Sequence, residues 1–215
     1  MFITRSATRM AKLANSGKWY VVHKLSLLLE SIQACRICAP ELPHEPRPVV
    51  QLHADARILI AGQAPGRKVH STGVPFDDVS GDRLREWMGI DRDTFYDPRL
   101  MAILPMGFCF PGKGPSGDLP PRRECAGAWR NEVLSCLQKV ELMLVIGRYA
   151  QAWHLKTGKA IVSDVVRNWR NWWPDRMPLP HPSPRNRNWI RLHPWFDGEV
   201  LPALRSRIAS ILGRR

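Results

Sequence analysis

Apolar positions along this 215-residue chain fall into two kinds of pattern. Short uninterrupted runs recur as RILIA at 57–61, MAIL at 101–104 and LMLVI at 142–146, and each stops at a glycine or a proline. Runs of that length bounded by turn residues predict strands buried on both faces. Residues 177–180 form a fourth, shorter candidate that leads straight into HPSPRN. Between these runs the spacing turns helical. Leu25, Leu28, Leu29 and Ile32 predict a helix over 24–34 that delivers Cys35 at its end. Further helices are predicted over 82–88, over 122–140 and from 148 to 154. Val200, Leu201, Leu204, Ile208 and Ile211 predict a closing amphipathic helix over 199–212. The proline-rich stretches 40–48 and 111–121 are predicted loops, because each proline removes a backbone donor and disfavours helix before it. Strands alternating with helices predict an α/β fold, a three-layer α/β/α sandwich around a short, mainly parallel four-stranded sheet.

In such sheets ligands bind beyond the carboxyl ends of the strands. Here those ends are GQAPG (Gly62, Gln63, Ala64, Pro65, Gly66), the segment after Leu104, and HPSPRN, which begins at His181. GQAPG presents backbone N–H groups beside glycines that allow close approach of a ligand, although a plain turn has the same composition. The spacings of a dinucleotide fingerprint and of a P-loop are both absent. HPSPRN is more specific, because two prolines fix the backbone around His181 and Ser183 before any ligand arrives.

Composition adds a charge to this frame. With 44% hydrophobic and 24% charged residues the chain is ordinary globular material, which excludes a disordered tail, a collagen-like fibre and a membrane protein. Its net charge is +13, carried by 24 Arg and only 8 Lys. Arginine excess with nine Trp fits phosphate backbones and stacked bases, and fits equally a solvated basic face. Five cysteines, an odd number, without a secretory signal point to thiols or metal ligands and to a cytoplasmic protein. Residues 1–23 are basic and free of acids. They read as a leader, either resembling a transit peptide or arising from a start upstream of Met10, with one domain over 24–215.

Taken in order, CRIC, RILIAGQAPG, STGVPF, two later cysteines, LVIGRYA and HPSPRN resemble the uracil-DNA glycosylase superfamily, most closely its family 4. The resemblance covers roughly residues 35–212. It implies a monomeric DNA glycosylase of base excision repair that flips a deaminated base, uracil first, and cleaves its N-glycosidic bond. It also implies a [4Fe-4S] cluster on Cys35, Cys38, Cys109 and Cys125, for which four thiolates equally suit structural zinc. Cys136 is left over on the apolar face of a predicted helix. By the same resemblance Gln63 and Ala64 position the attacking water, with Gly62, Pro65 and Gly66 completing the turn. Phe76 stacks on the base, and His181 donates a hydrogen bond to its oxygen. Ser183, Arg185, Asn186 and Arg187, followed by Trp189, belong to the loop that enters the duplex. Three positions depart from the family. Gln63 and Ala64 leave the turn without a carboxylate, which turns attention to Asp77 or Asp78, and Pro105 replaces an asparagine that reads the uracil edge. A cluster-bearing nucleic-acid-binding protein without catalysis is the alternative these departures raise.

Overall fold

The computed structural model describes residues 17–115 and 117–213. Four strands, β1 (Ile58–Ala61), β2 (Met101–Ile103), β5 (Leu142–Ile146) and β6 (Arg176–Leu179), form one sheet in the order β2-β1-β5-β6, with every pair parallel. Two further strands, β3 (Lys113–Gly114) and β4 (Gly117–Asp118), pair antiparallel as a small hairpin. The predicted three-layer α/β/α class is the one observed.

Alternation along β1 explains the layers. Ile58 and Ile60 face one side of the sheet and Leu59 and Ala61 the other, as a period of two requires. The first side packs on helix α3 (Val79–Met88), through Leu84, Trp87 and Met88, and on helix α9 (Leu201–Leu212), through Leu204, Ile208 and Ile211. The second side packs on α1 (Gly17–Gln33), through Leu25, Leu28 and Ile32, and on α5 (Arg123–Cys136). Helices α6 (Gly147–His154) and α7 (Val162–Arg167) cover the end of that face with Ala150, Leu155 and Val165. Both faces are therefore dry, which is why the strands are unbroken apolar runs.

Several boundaries differ from the pattern. Helix α1 starts at Gly17, ahead of the predicted position 24, so part of the basic leader is helical; residues 1–16, Met10 among them, lie outside the described residues. Helix α5 stops at Cys136, with the Leu137 N–H bonding back to the Leu134 carbonyl. The loop predicted over 111–121 contains the β3–β4 hairpin, because Gly112 and Gly117 at φ 98° and 140° permit its turns. Short helices α2 (Arg67–Thr72), α4 (Arg92–Tyr96) and α8 (Arg187–Leu192) have too few turns to show a period. The NWRNWW segment forms a short 3-10 turn over Trp169–Trp172, with Trp169 buried, and a π-helical turn over Phe196–Val200 precedes α9. Among the described residues no helix is long and apolar enough to cross a membrane.

Candidate active site

GQAPG and HPSPRN leave β1 and β6, with β5 between them, and both line one cavity of about 480 Å³ at the carboxyl edge of the sheet. The turn is held from behind. The amide of Met106 donates to the Gly62 carbonyl and that of Gly107 to the Gln63 carbonyl, each at 2.9 Å. Gln63 does not point its amide at an open site: its Nε2 donates to the Leu119 carbonyl at 3.1 Å, beside the end of β4. Ala64, Pro65 and Gly66 line the cavity as well.

Phe76 stands across from the turn in the left-handed region at φ 54°. The neighbouring carbonyl of Pro75 accepts from the Tyr96 hydroxyl at 3.0 Å, and the Phe76 ring meets Phe95 edge-on at 6.1 Å. A side chain at Gly81 would put its Cβ 1.8 Å from the Phe76 carbonyl oxygen, so glycine is required where α3 begins against this turn. A Cβ on Gly62 would meet the tip of the Phe76 ring at 3.6 Å. The ring thus packs on the core edge and also forms one wall of the cavity.

His181 is held in one protonation state. The Ser183 N–H donates to its Nδ1 at 3.2 Å, which places the ring proton of the neutral imidazole on Nε2. Burial pushes its pKa below the ordinary histidine value, against the opposing charges of Asp78 and Asp118, so it is a neutral donor. The loop that carries it is braced. Asn186 Nδ2 donates to the His181 carbonyl at 2.7 Å, and Arg83 reaches from α3 to the Ser183 carbonyl at 3.2 Å.

Of the two carboxylates considered from sequence, Asp77 pairs with Arg92 at 3.1 Å and does not line the cavity. Asp78 does line it, but its Oδ1 accepts from the Gly81 N–H at 2.9 Å and caps α3. Sequence reasoning missed Asp118 and Lys113, which the hairpin brings to the cavity rim. The only signal for them was glycine on both sides of a turn within a proline-rich stretch.

Arginines divide by position. Arg167 and Arg170 pair with Glu199 and lie over Trp195 and Trp169 at 4.8 and 4.5 Å. Arg176, Arg205 and Arg207 donate to backbone carbonyls. Arg185 lines the cavity, while Arg187 lies outside it, exposed with Arg191 on α8. Trp189 is half-buried, its indole N–H donating to Ser163 at 2.6 Å, so it anchors α8.

Pro105 sits on the cavity wall with its carbonyl turned away from the ligand space, toward a buried cation. Arg130, fully buried on α5, donates to the Pro105 and Leu104 carbonyls at 2.7 and 2.9 Å and to His154 Nε2 at 2.8 Å. Burial lowers the Arg130 pKa to about 10, which leaves it charged at neutral pH.

Cys35, Cys38, Cys109 and Cys125 come from three segments and line a second, smaller cavity, away from Cys136, which is buried against α1 and the sheet. Among the described residues no group of three or more His, Cys, Asp or Glu has the spacing of a closed metal site. The surroundings nonetheless suit an acceptor-rich anion. The Phe108 N–H donates to Cys125 Sγ at 3.3 Å. The buried Arg122 Nε–H and Trp129 indole N–H, on two other lining residues, have no hydrogen-bond partner among the described residues. As free thiols, Cys109 and Cys125 are pushed up by burial to about 11 and about 12.

With this geometry in place, a sequence model of the Uracil DNA glycosylase superfamily matches residues 50–205, from the bridge beside β2 into α9.

Proposed function

The chain belongs to the uracil-DNA glycosylase superfamily, and from that premise we propose that it hydrolyses the N-glycosidic bond of a deaminated base, uracil first, flipped out of DNA. The observation that carries this reading is His181, fixed as an Nε2–H donor in a cavity shared with the GQAPG amides and Phe76. As the C1′–N bond breaks, its electron pair goes to the base, and negative charge builds on the base oxygen. A positioned neutral donor in a water-poor site stabilises that charge without reorganising. The Phe76 ring stacks on the extruded base, whose release from the duplex the protein must offset by contacts of this kind. Water then bonds to C1′ and its proton leaves, giving an abasic sugar.

We assign the backbone on either side to Arg185, which lines the cavity, and to Arg187 and Arg191, exposed on α8. Ser183 and Asn186 shape the loop between them. Purified protein is expected to create abasic sites in uracil-containing oligonucleotides. Its affinity should fall with salt at a log–log slope of about −3, near one unit per phosphate contact. Absence of base release across uracil, hypoxanthine and xanthine substrates overturns the catalytic reading in favour of a binding protein on the same fold.

Within the superfamily we place the chain nearest the iron–sulfur type. Four cysteine sulfurs and the N–H groups directed at or buried beside them fit a [4Fe-4S] cluster, whose sulfides accept such bonds. When bound, the cluster would tie the chain after α1 to both ends of the hairpin segment, and no catalytic step passes through it. Anaerobically purified protein is expected to contain iron and acid-labile sulfide in equal amounts and to be brown in colour. Stoichiometric zinc without iron overturns this assignment and leaves the same cysteines as a structural zinc site.

A further inference from the structure

We propose that Asp118, delivered by the β3–β4 hairpin, is the carboxylate that orients the attacking water and accepts its proton. This inference rests on the glycosylase reading of the same cavity. GQAPG contains no acid, and the acids lining the cavity are Asp78 and Asp118. Asp78 has one oxygen committed to the start of α3. Asp118 is placed differently. Its Oδ2 lies over the last glycine of the turn, 3.5 Å from where a Gly66 Cβ would stand, so the carboxylate is in contact range of the turn.

The hairpin is clasped to the turn at this point. Gln63 Nε2 donates to the carbonyl of Leu119, the residue after Asp118, at 3.1 Å, and the Leu119 N–H returns to the Gly112 carbonyl at 2.9 Å. Asp118 itself pairs across the hairpin with Lys113. Gln63, next to the departed Ala64, therefore acts as a positioning residue: it holds the strand that carries the acid. Asp118 and His181 line the same cavity. Exposed in the free protein, Asp118 is at the rim that a bound DNA strand covers.

The step balances within the chain and its substrate. The C1′–N bond breaks with its electron pair leaving on the base, the water oxygen then bonds to C1′, and the water proton passes to the Asp118 carboxylate. From there it returns to solvent or to the departing base anion.

The test is single-turnover base release from a uracil-containing single-stranded oligonucleotide, using full-length wild type, Asp118→Asn, Gln63→Ala and Asp78→Asn. Asp118→Asn is expected to slow release about 100-fold, the usual scale for a positioned proton acceptor. Its affinity for the uncleaved oligonucleotide should be equal or tighter, because a negative charge is removed, and its thermal midpoint should be unchanged. Gln63→Ala is expected to share part of the rate loss through the freed hairpin. Release by Asp118→Asn within threefold of an active wild type (about one-thirtieth of the expected effect), or a larger loss in Asp78→Asn, overturns the assignment while the glycosylase reading stands. A wild type that releases no base overturns both.

Discussion

Alanine at His181 is expected to slow base release by about 10²- to 10³-fold, the cost of removing one preorganised donor from a developing anion. The loss should fall on the chemical step, with substrate affinity moving far less, because the bond strengthens only as charge reaches the base oxygen. Single-turnover rates set against equilibrium binding separate the two. Two features of the loop make this residue the sensitive one. Ser183 N–H holds Nδ1 as an acceptor, so Nε2 must carry the proton, and Asn186 fixes the His181 carbonyl at 2.7 Å. His181→Gln, which keeps a donor but loses the Ser183 contact, should recover part of the rate. The lowered pKa adds a sign. Since the neutral form persists below the ordinary imidazole range near pH 6.5 (about that value in model peptides), rates should stay level through that range and not break there. A break that vanishes in His181→Gln would contradict the neutral-donor role.

The second large effect concerns stability. Arg130→Ala is expected to cost about 3–5 kcal/mol in urea unfolding, since it leaves two buried carbonyls and His154 without their donor and opens a cavity. Arg130→Met restores volume without donors and should recover only the packing part. A loss under about 1 kcal/mol for Arg130→Ala would mean that those carbonyls are satisfied without it. The partner has its own signature. His154 Nε2 accepts from Arg130, and burial together with the Arg130 charge pushes its pKa down to about 3. Between that value and the unfolded value of about 6.5, the unfolded chain binds a proton that the native chain does not. Stability should therefore fall as pH falls through this window, by up to about 1.4 kcal/mol per pH unit. His154→Gln should remove that slope.

Arg130 also bears on base recognition. Its bond to the Pro105 carbonyl turns the nearest backbone acceptor away from the cavity, and proline offers no N–H there. On the proposed glycosylase reading, an asparagine that reads the pyrimidine edge has no counterpart at this position, and recognition would fall to His181 and the turn amides. The departure at Pro105 and the buried cation on α5 are one arrangement, not two.

Much of this was legible before any coordinates. The three continuous apolar runs could only be doubly buried strands, and a parallel sheet places its crevice at their carboxyl ends, so GQAPG and HPSPRN had to converge. The cysteine pair at 35 and 38 and the later cysteines at 109 and 125 do line a common cavity. What escaped was set by contacts too distant in sequence to leave a period. Asp118 lies in the predicted loop over 111–121 with no pattern to single it out, and the β3–β4 pairing and the Gln63 clasp bring it over Gly66. Arg130 falls within the predicted helix over 122–140 with nothing in its spacing to mark it, yet it is fully buried. Of Asp77 and Asp78, sequence had no means to tell which faced inward; the ion pair with Arg92 settles it.

The division between the two sources has a simple cause. Hydrophobic period and proline–glycine punctuation are local, and burial acts on them residue by residue, so the strands, the main helices, the layering and the edge that holds the site follow from the chain alone. The identity of a polar side chain carries no comparable constraint, since an arginine or an aspartate takes its role from the donors and acceptors that packing brings within 3 Å (about the hydrogen-bond distance). Tertiary structure alone decided that Arg130 anchors the cavity wall, that Gln63 holds a hairpin, and which of the arginines behind the +13 charge bond to the fold's own carbonyls and carboxylates.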